Sequence, residues 1–111
     1  MIVYSGNGLV NNLINKLSFE LHVPGGYQYC GPGTKLSKRL SRGDQGINQL
    51  DSFCKEYDII HSKSKDIKER NIADKILAKK AEDRIYSKDA NIGEKAAALA
   101  VSHIMKVIFN L

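Results

Sequence analysis

Long hydrophobic runs are missing from this chain. No apolar stretch approaches the length that spans a bilayer, and the Met1 end has no basic segment leading into a signal-type apolar stretch. Tryptophan is absent and aromatic residues make up only 7% of the sequence, so the basic stretches "KLSKRLSR", "KSKDIKER" and "KILAKKAEDR" have few rings on which bases would stack. Nucleic acid is therefore a poor candidate partner. At 111 residues the chain is also too short for two domains, and a core of this size gains noticeably from a crosslink or a bound ion.

What is present is the composition of a soluble globular protein, 42% hydrophobic and 26% charged, rather than that of a disordered chain. A net charge of +5 favours acidic partners, and an anionic lipid surface is one of them. The tripeptide "RGD" at Arg42 to Asp44 resembles an adhesion motif, but Gly43 by itself accounts for a turn there.

The spacing of Leu9, Val10, Leu13, Ile14 and Leu17 predicts a first amphipathic helix, with Asn7 as a possible cap and an end before Pro24. From Pro24 to Gly46 the sequence holds both prolines and most of the glycines without sustained periodicity, which reads as a long structured loop. A second helix follows in "NQLDSFCKEYDIIHSK", capped by Asn48 or Asp51, with Phe53, Cys54, Tyr57, Asp58 and His61 on adjoining faces. A third runs through "DIKERNIADKILAKKAEDRIYS" with Ala73, Ile76, Leu77, Ala81 and Ile85 as its apolar stripe. The fourth, "ANIGEKAAALAVSHIMKVIF", offers Ala97, Ala100, Val101, Ile104, Met105 and Ile108 for packing. The expected organisation is one mainly α-helical domain over residues 1–111: an N-terminal helical segment (1–23), a loop and helix pair (24–86) and a C-terminal helix (87–111).

"GGYQYCGPGTKL" carries the first chemical signal. Glycines on both sides of Pro32 let the chain turn its carbonyls toward one point, as a hard cation requires, and a carboxylate from elsewhere, such as Asp58, has to complete six or more oxygen ligands. Alone, the stretch is equally compatible with a tight turn. Cys30 lies in this loop and Cys54 one helical turn before Asp58; a bridge between the two pieces and a pair of buried thiols are both open.

Together these segments resemble the phospholipase A2 domain, whose signature is a Y-x-G-x-G calcium loop followed by an H-D-x-x-Y helix. The form with proline between the glycines is similar to the domain of parvovirus and densovirus minor capsid proteins and of related virus- or transposon-derived insect sequences. The two motifs occur in order, across roughly residues 23 to 86. The resemblance implies two long antiparallel helices, Ca2+ held by the carbonyls of Tyr29, Gly31 and Gly33 and the carboxylate of Asp58, and an oxyanion donor in the Gly31 amide. It implies Asp74, on the antiparallel helix, as the acid that orients the catalytic histidine. It also implies a Cys30–Cys54 disulfide, and the lack of the many further cysteines of secreted animal enzymes favours the virus-like branch. By the same resemblance a phospholipid surface, preferably anionic, would be the partner of a monomeric domain, one that can form part of a larger capsid-type protein, acting in a virion, at an endosomal membrane or outside the cell.

The departure lies at the base. Where the family has H-D-x-x-Y this chain has "YDIIH": Tyr57 stands at the histidine position and His61 at the tyrosine position. A phenol with a pKa of about 10 is ionised to roughly one part in a thousand at pH 7 and accepts a proton poorly. His61, one turn along, lies beyond direct reach of a water placed for residue 57; its simplest role is to replace the family tyrosine as a partner of Asp74. The expected function is thus a calcium- and phospholipid-binding domain with sn-2 ester hydrolysis lost or strongly reduced. A hydrolase using His61 or Tyr57 as base and a purely structural module of a capsid-related protein are the alternatives. His22 and His103 have no partners that the sequence identifies.

Overall fold

The computed structural model describes residues 22–31 and 34–111; the expected first helix with Asn7 and its apolar stripe, and Gly33 of the glycine-rich loop, lie outside the described residues. Among the described residues there are four helices: α1 (Leu36–Ser41), α2 (Gln49–Lys63), α3 (Ile67–Ile85) and α4 (Ile92–Phe109). The described residues contain no strand, so the architecture is mainly α.

Each long helix begins where a short polar side chain can take up an N–H group that the first turn leaves without a helical partner. Asn48 accepts from the Asp51 amide at 3.0 Å, Asp66 from the Lys68 amide at 2.8 Å and Asn91 from the Glu94 amide at 2.7 Å. Asn48, not Asp51, is therefore the cap of α2, and this frees the Asp51 side chain for other partners. The short α1 departs from the expected uninterrupted loop. Leu36, buried, begins it; beyond Ser41 the chain turns through Gly43 at φ +73°, a value that a residue with a Cβ adopts only at a cost. Arg39 and Arg42 close that turn onto Asp44 at 3.3 and 2.7 Å, so "RGD" is folded back on itself.

Only residues 64–66 join α2 to α3, and so short a connection makes the helices antiparallel neighbours. The cross-contacts confirm the sense: Lys80 reaches Glu56 at 3.6 Å near one end, and Arg70 donates to the His61 carbonyl at 3.2 Å near the other. Buried Ala73, Ala78 and Ala81 of α3 and Ala97 and Ala98 of α4 are small enough to let helix axes come close. Leu50, Leu77, Val101 and Met105 fill the remaining core, each contributing about 1.5–3 kcal/mol of transfer free energy. Ile76 departs from the expected apolar stripe: it is 45% exposed, while Ala73, Leu77 and Ala81 beside it are buried. The helix turns the narrower alanine and leucine face inward and leaves the branched side chain at the rim.

A buried charged cluster locks the far end of the bundle. Arg84 at the end of α3 grips Glu94 in the first turn of α4 with two bonds, Nε to Oε2 at 2.7 Å and Nη2 to Oε1 at 2.9 Å. Glu94 also accepts the Leu50 amide at 3.0 Å, so one carboxylate joins α4 to the first turn of α2. Bidentate guanidinium–carboxylate pairing fixes angle as well as distance, and the start of α2 is thereby set relative to the rest of the fold.

Candidate functional site

On α2 the positions 51, 54, 58 and 61 follow one another at spacings of three, four and three, so Asp51, Cys54, Asp58 and His61 share one inward face. All four are essentially inaccessible, as is Tyr57. An inward stripe of this kind ordinarily carries aliphatic side chains; here it carries two carboxylates, a half-cystine and an imidazole.

Tyr57, His61 and Asp74 meet at a single atom. The Tyr57 hydroxyl donates to Asp74 Oδ1 at 2.7 Å, and His61 Nε2 lies 3.0 Å from the same oxygen. The two rings pack against each other with centroids 4.2 Å apart. A carboxylate oxygen accepts, so the imidazole carries a proton on Nε2; its Nδ1 is buried. Burial pushes the Tyr57 phenol far above its ordinary value, and the hydrogen bond and negative charge of Asp74 push it the same way. An imidazole has two nitrogens on opposite edges and can hold an acid with one while facing a water with the other. A phenol has one polar atom, and in Tyr57 that atom is committed to Asp74.

The glycine-rich loop is tied to α2 twice. Cys30 and Cys54 form a disulfide with Cα atoms 5.2 Å apart. Asp51 accepts four backbone amides: Tyr29 at 2.8 Å and Cys30 at 3.1 Å on Oδ1, Gln28 at 3.0 Å and Ile47 at 3.1 Å on Oδ2. The Tyr29 side chain is fully buried and donates its hydroxyl to the Asp44 carbonyl at 2.5 Å, anchoring the loop from its other side.

Tethered in this way, the loop aims its carbonyls. Thr34 Oγ1 lies 3.0 Å from the Tyr29 carbonyl and 3.4 Å from the Gly31 carbonyl, so both oxygens converge on one hydroxyl. The Cys30 carbonyl accepts instead from the Val23 amide at 2.8 Å, which turns the Gly31 N–H of the same peptide unit the opposite way. No group of three or more His, Cys, Asp or Glu side chains among the described residues could hold a metal ion. The chemistry on offer is the hard-oxygen kind: converging carbonyls, with the fully buried carboxylate of Asp58 one turn beyond the disulfide. Such a donor set fits Ca2+ by ligand type.

Beside Tyr57 a mainly apolar cavity of about 140 Å3 opens between α2 and α3, walled by Phe53, Tyr57, Ile60, Ala73, Ile76 and Leu77, with Glu56 also in its lining. Lys80 stands at its edge, 4.7 Å above the Phe53 ring. Ile76, out of place in a core stripe, is a wall of this cavity.

Several contributors escape a reading of the sequence. Asp51 is legible there only as an alternative cap, although its place on the inward stripe is a signal that its carboxylate needs buried donors. His22 has a partner after all, its Nε2 lying 3.2 Å from Thr34 Oγ1. Neither residue belongs to a motif that would have pointed to the loop. His103 is exposed on α4.

Comparison with known proteins finds no match among curated proteins and none among solved structures. The sequence model of a phospholipase A2-like domain matches residues 19–110, a span that takes in the loop, the shared acid and all four helices. The chain belongs to the phospholipase A2-like domain family.

Proposed function

We propose that this domain binds calcium and phospholipid surfaces and has lost, or nearly lost, hydrolysis of the sn-2 ester. The observation that carries the reading is the sharing of Asp74 Oδ1 by the Tyr57 hydroxyl and His61 Nε2. The carbonyls of Tyr29, Gly31 and Gly33 and the carboxylate of Asp58 would hold Ca2+. When bound, the ion supplies positive charge against an ester carbonyl. The Gly31 amide, turned away from Val23, is available as a donor to the same oxygen. The cavity beside Tyr57, walled by Phe53, Ile60, Ile76 and Leu77, takes the first few methylenes of an acyl chain. What the constellation lacks is a group to take a proton from water: the Tyr57 phenol is held protonated and turned onto Asp74.

A working hydrolase is the second reading, favoured by one observation: His61 and Asp74 form an imidazole–carboxylate pair at 3.0 Å. Its weakness is that His61 is 1% exposed and its Nδ1 is enclosed, so no substrate water reaches it without rearrangement. The proline between the loop glycines supports a virus-like origin and a place within a larger capsid-related protein, where the domain would act on an anionic membrane in keeping with its charge of +5.

The test is calcium-dependent release of fatty acid from vesicles containing anionic phospholipid, run on the protein, on the Tyr57→His/His61→Tyr exchange and in EDTA. Release by the exchanged protein alone supports the reading. Comparable EDTA-sensitive release by the unmodified protein overturns it.

A further inference from the structure

The four backbone amides gathered by Asp51 all precede α2 in the chain, and three of them, Gln28, Tyr29 and Cys30, are consecutive. A capping aspartate serves the first turn of its own helix. Asp51 serves a strand of loop more than twenty residues earlier, and Asn48 performs the capping in its place.

The geometry of one peptide unit shows what this arrangement does. In a trans peptide the N–H and C=O groups point in opposite directions, and the described residues contain no cis bond. The unit joining Tyr29 to Cys30 gives its N–H to Asp51 Oδ1 at 3.1 Å, which forces its carbonyl, that of Tyr29, away from Asp51. That carbonyl faces Thr34 Oγ1 at 3.0 Å, the point toward which the Gly31 carbonyl also turns. Negative charge on the N–H side further polarises the unit and makes its carbonyl oxygen a better ligand for a cation.

We propose that Asp51 is a positioning residue for the cation loop: by holding the Cys30 N–H it aims the Tyr29 carbonyl and thereby sets the affinity of the loop for calcium. The inference rests on the calcium reading above and adds to it the residue that builds the site. The disulfide alone cannot do this work, since it fixes the Cys30 side chain and leaves the peptide plane free to rotate.

Asp51→Asn tests it. The amide keeps one acceptor oxygen and turns an NH2 group toward the other pair of backbone N–H groups, so donors face donors. Calcium binding to the oxidised, chelator-treated protein is measured by titration calorimetry well below the unfolding temperature. The parent, Asp51→Asn and Val101→Ala are compared, the last loosening the core through a residue on α4. Affinity at least tenfold weaker in Asp51→Asn, and within twofold of the parent in Val101→Ala, is the expected result. Parent-like affinity in Asp51→Asn overturns the positioning role and leaves the calcium reading standing; no binding by the parent overturns both. Should Asp51→Asn fail to fold, amide exchange on the unmodified protein decides. Because coupling is reciprocal, calcium must slow exchange of the Tyr29 and Cys30 amides beyond the uniform slowing of core amides such as Leu77 and Val101. Uniform slowing throughout refutes the proposal.

Discussion

Replacing Tyr57 with phenylalanine removes one oxygen atom and little else, and the structure sets what that oxygen is worth. Its hydroxyl donates at 2.7 Å to a carboxylate oxygen of Asp74, and both residues are only 3% exposed. A hydrogen bond to a charged partner contributes about 1.5–3 kcal/mol, and removing the donor leaves the buried acceptor short of one bond. Tyr57→Phe should therefore cost about 2 kcal/mol, measurable as a fall in the urea midpoint with an unchanged slope. Replacing His61 with leucine should cost a similar amount. The double substitution should cost more than the sum, since Asp74 Oδ1 then loses both donors and stays buried. A loss below about 0.5 kcal/mol for Tyr57→Phe, well outside the range for such a bond, or strict additivity in the double, would refute the shared-acid account and the proposed loss of catalysis built on it. The same variant tests one candidate base: any basal ester hydrolysis that survives Tyr57→Phe does not use the phenol as base.

Two further outcomes follow from the disulfide and the phenols. Reducing Cys30–Cys54, which lie 24 residues apart, should destabilise the fold by about 3.5 kcal/mol in the chain-entropy account; unfolding curves with and without reductant that superimpose would contradict it. Burial raises the phenols of Tyr27, Tyr29 and Tyr57 above their ordinary value. A folded-state pKa above the unfolded one gives stability that is complete below pH ~10 and is lost as the pH rises further, because only the unfolded phenols ionise. Thermal unfolding between pH 8 and 11.5 should show this decline, at about 1.4 kcal/mol per pH unit for a phenol that stays protonated. Tyr57→Phe should shallow it, and an identical slope in that variant would mean that Tyr57 ionises in the native state.

The three long helices were legible because local signals agree with the global fold: Asn48, Asp66 and Asn91 stand before amphipathic runs, and each caps in the structure. The short α1 was not, since six residues are too few for a helical period to stand out from its glycine-rich surroundings. Ile76 misled for a different reason. Periodicity marks an apolar face but does not say which part of it reaches the core and which lines a cavity, and that is decided by how closely the alanines of α3 approach their neighbours. The pairing of Cys30 with Cys54 was available from family resemblance. The role of Asp51 was not available, because its partners are backbone amides, and a backbone amide leaves no trace in the sequence of side chains. The glycines around Pro32 announce that carbonyls can turn toward one point, but nothing in the sequence places Thr34 there.

The sharing of Asp74 bears on how such a sequence can arise. Tyrosine and histidine at positions 57 and 61 each present one donor to the same acceptor. A chain passing between the family arrangement and this one by single replacements carries two tyrosines or two histidines midway, and in either intermediate Asp74 has two candidate donors. On the reading proposed above, the route between a catalytic and a silent domain need not cross an unstable ancestor, and it is open in both directions.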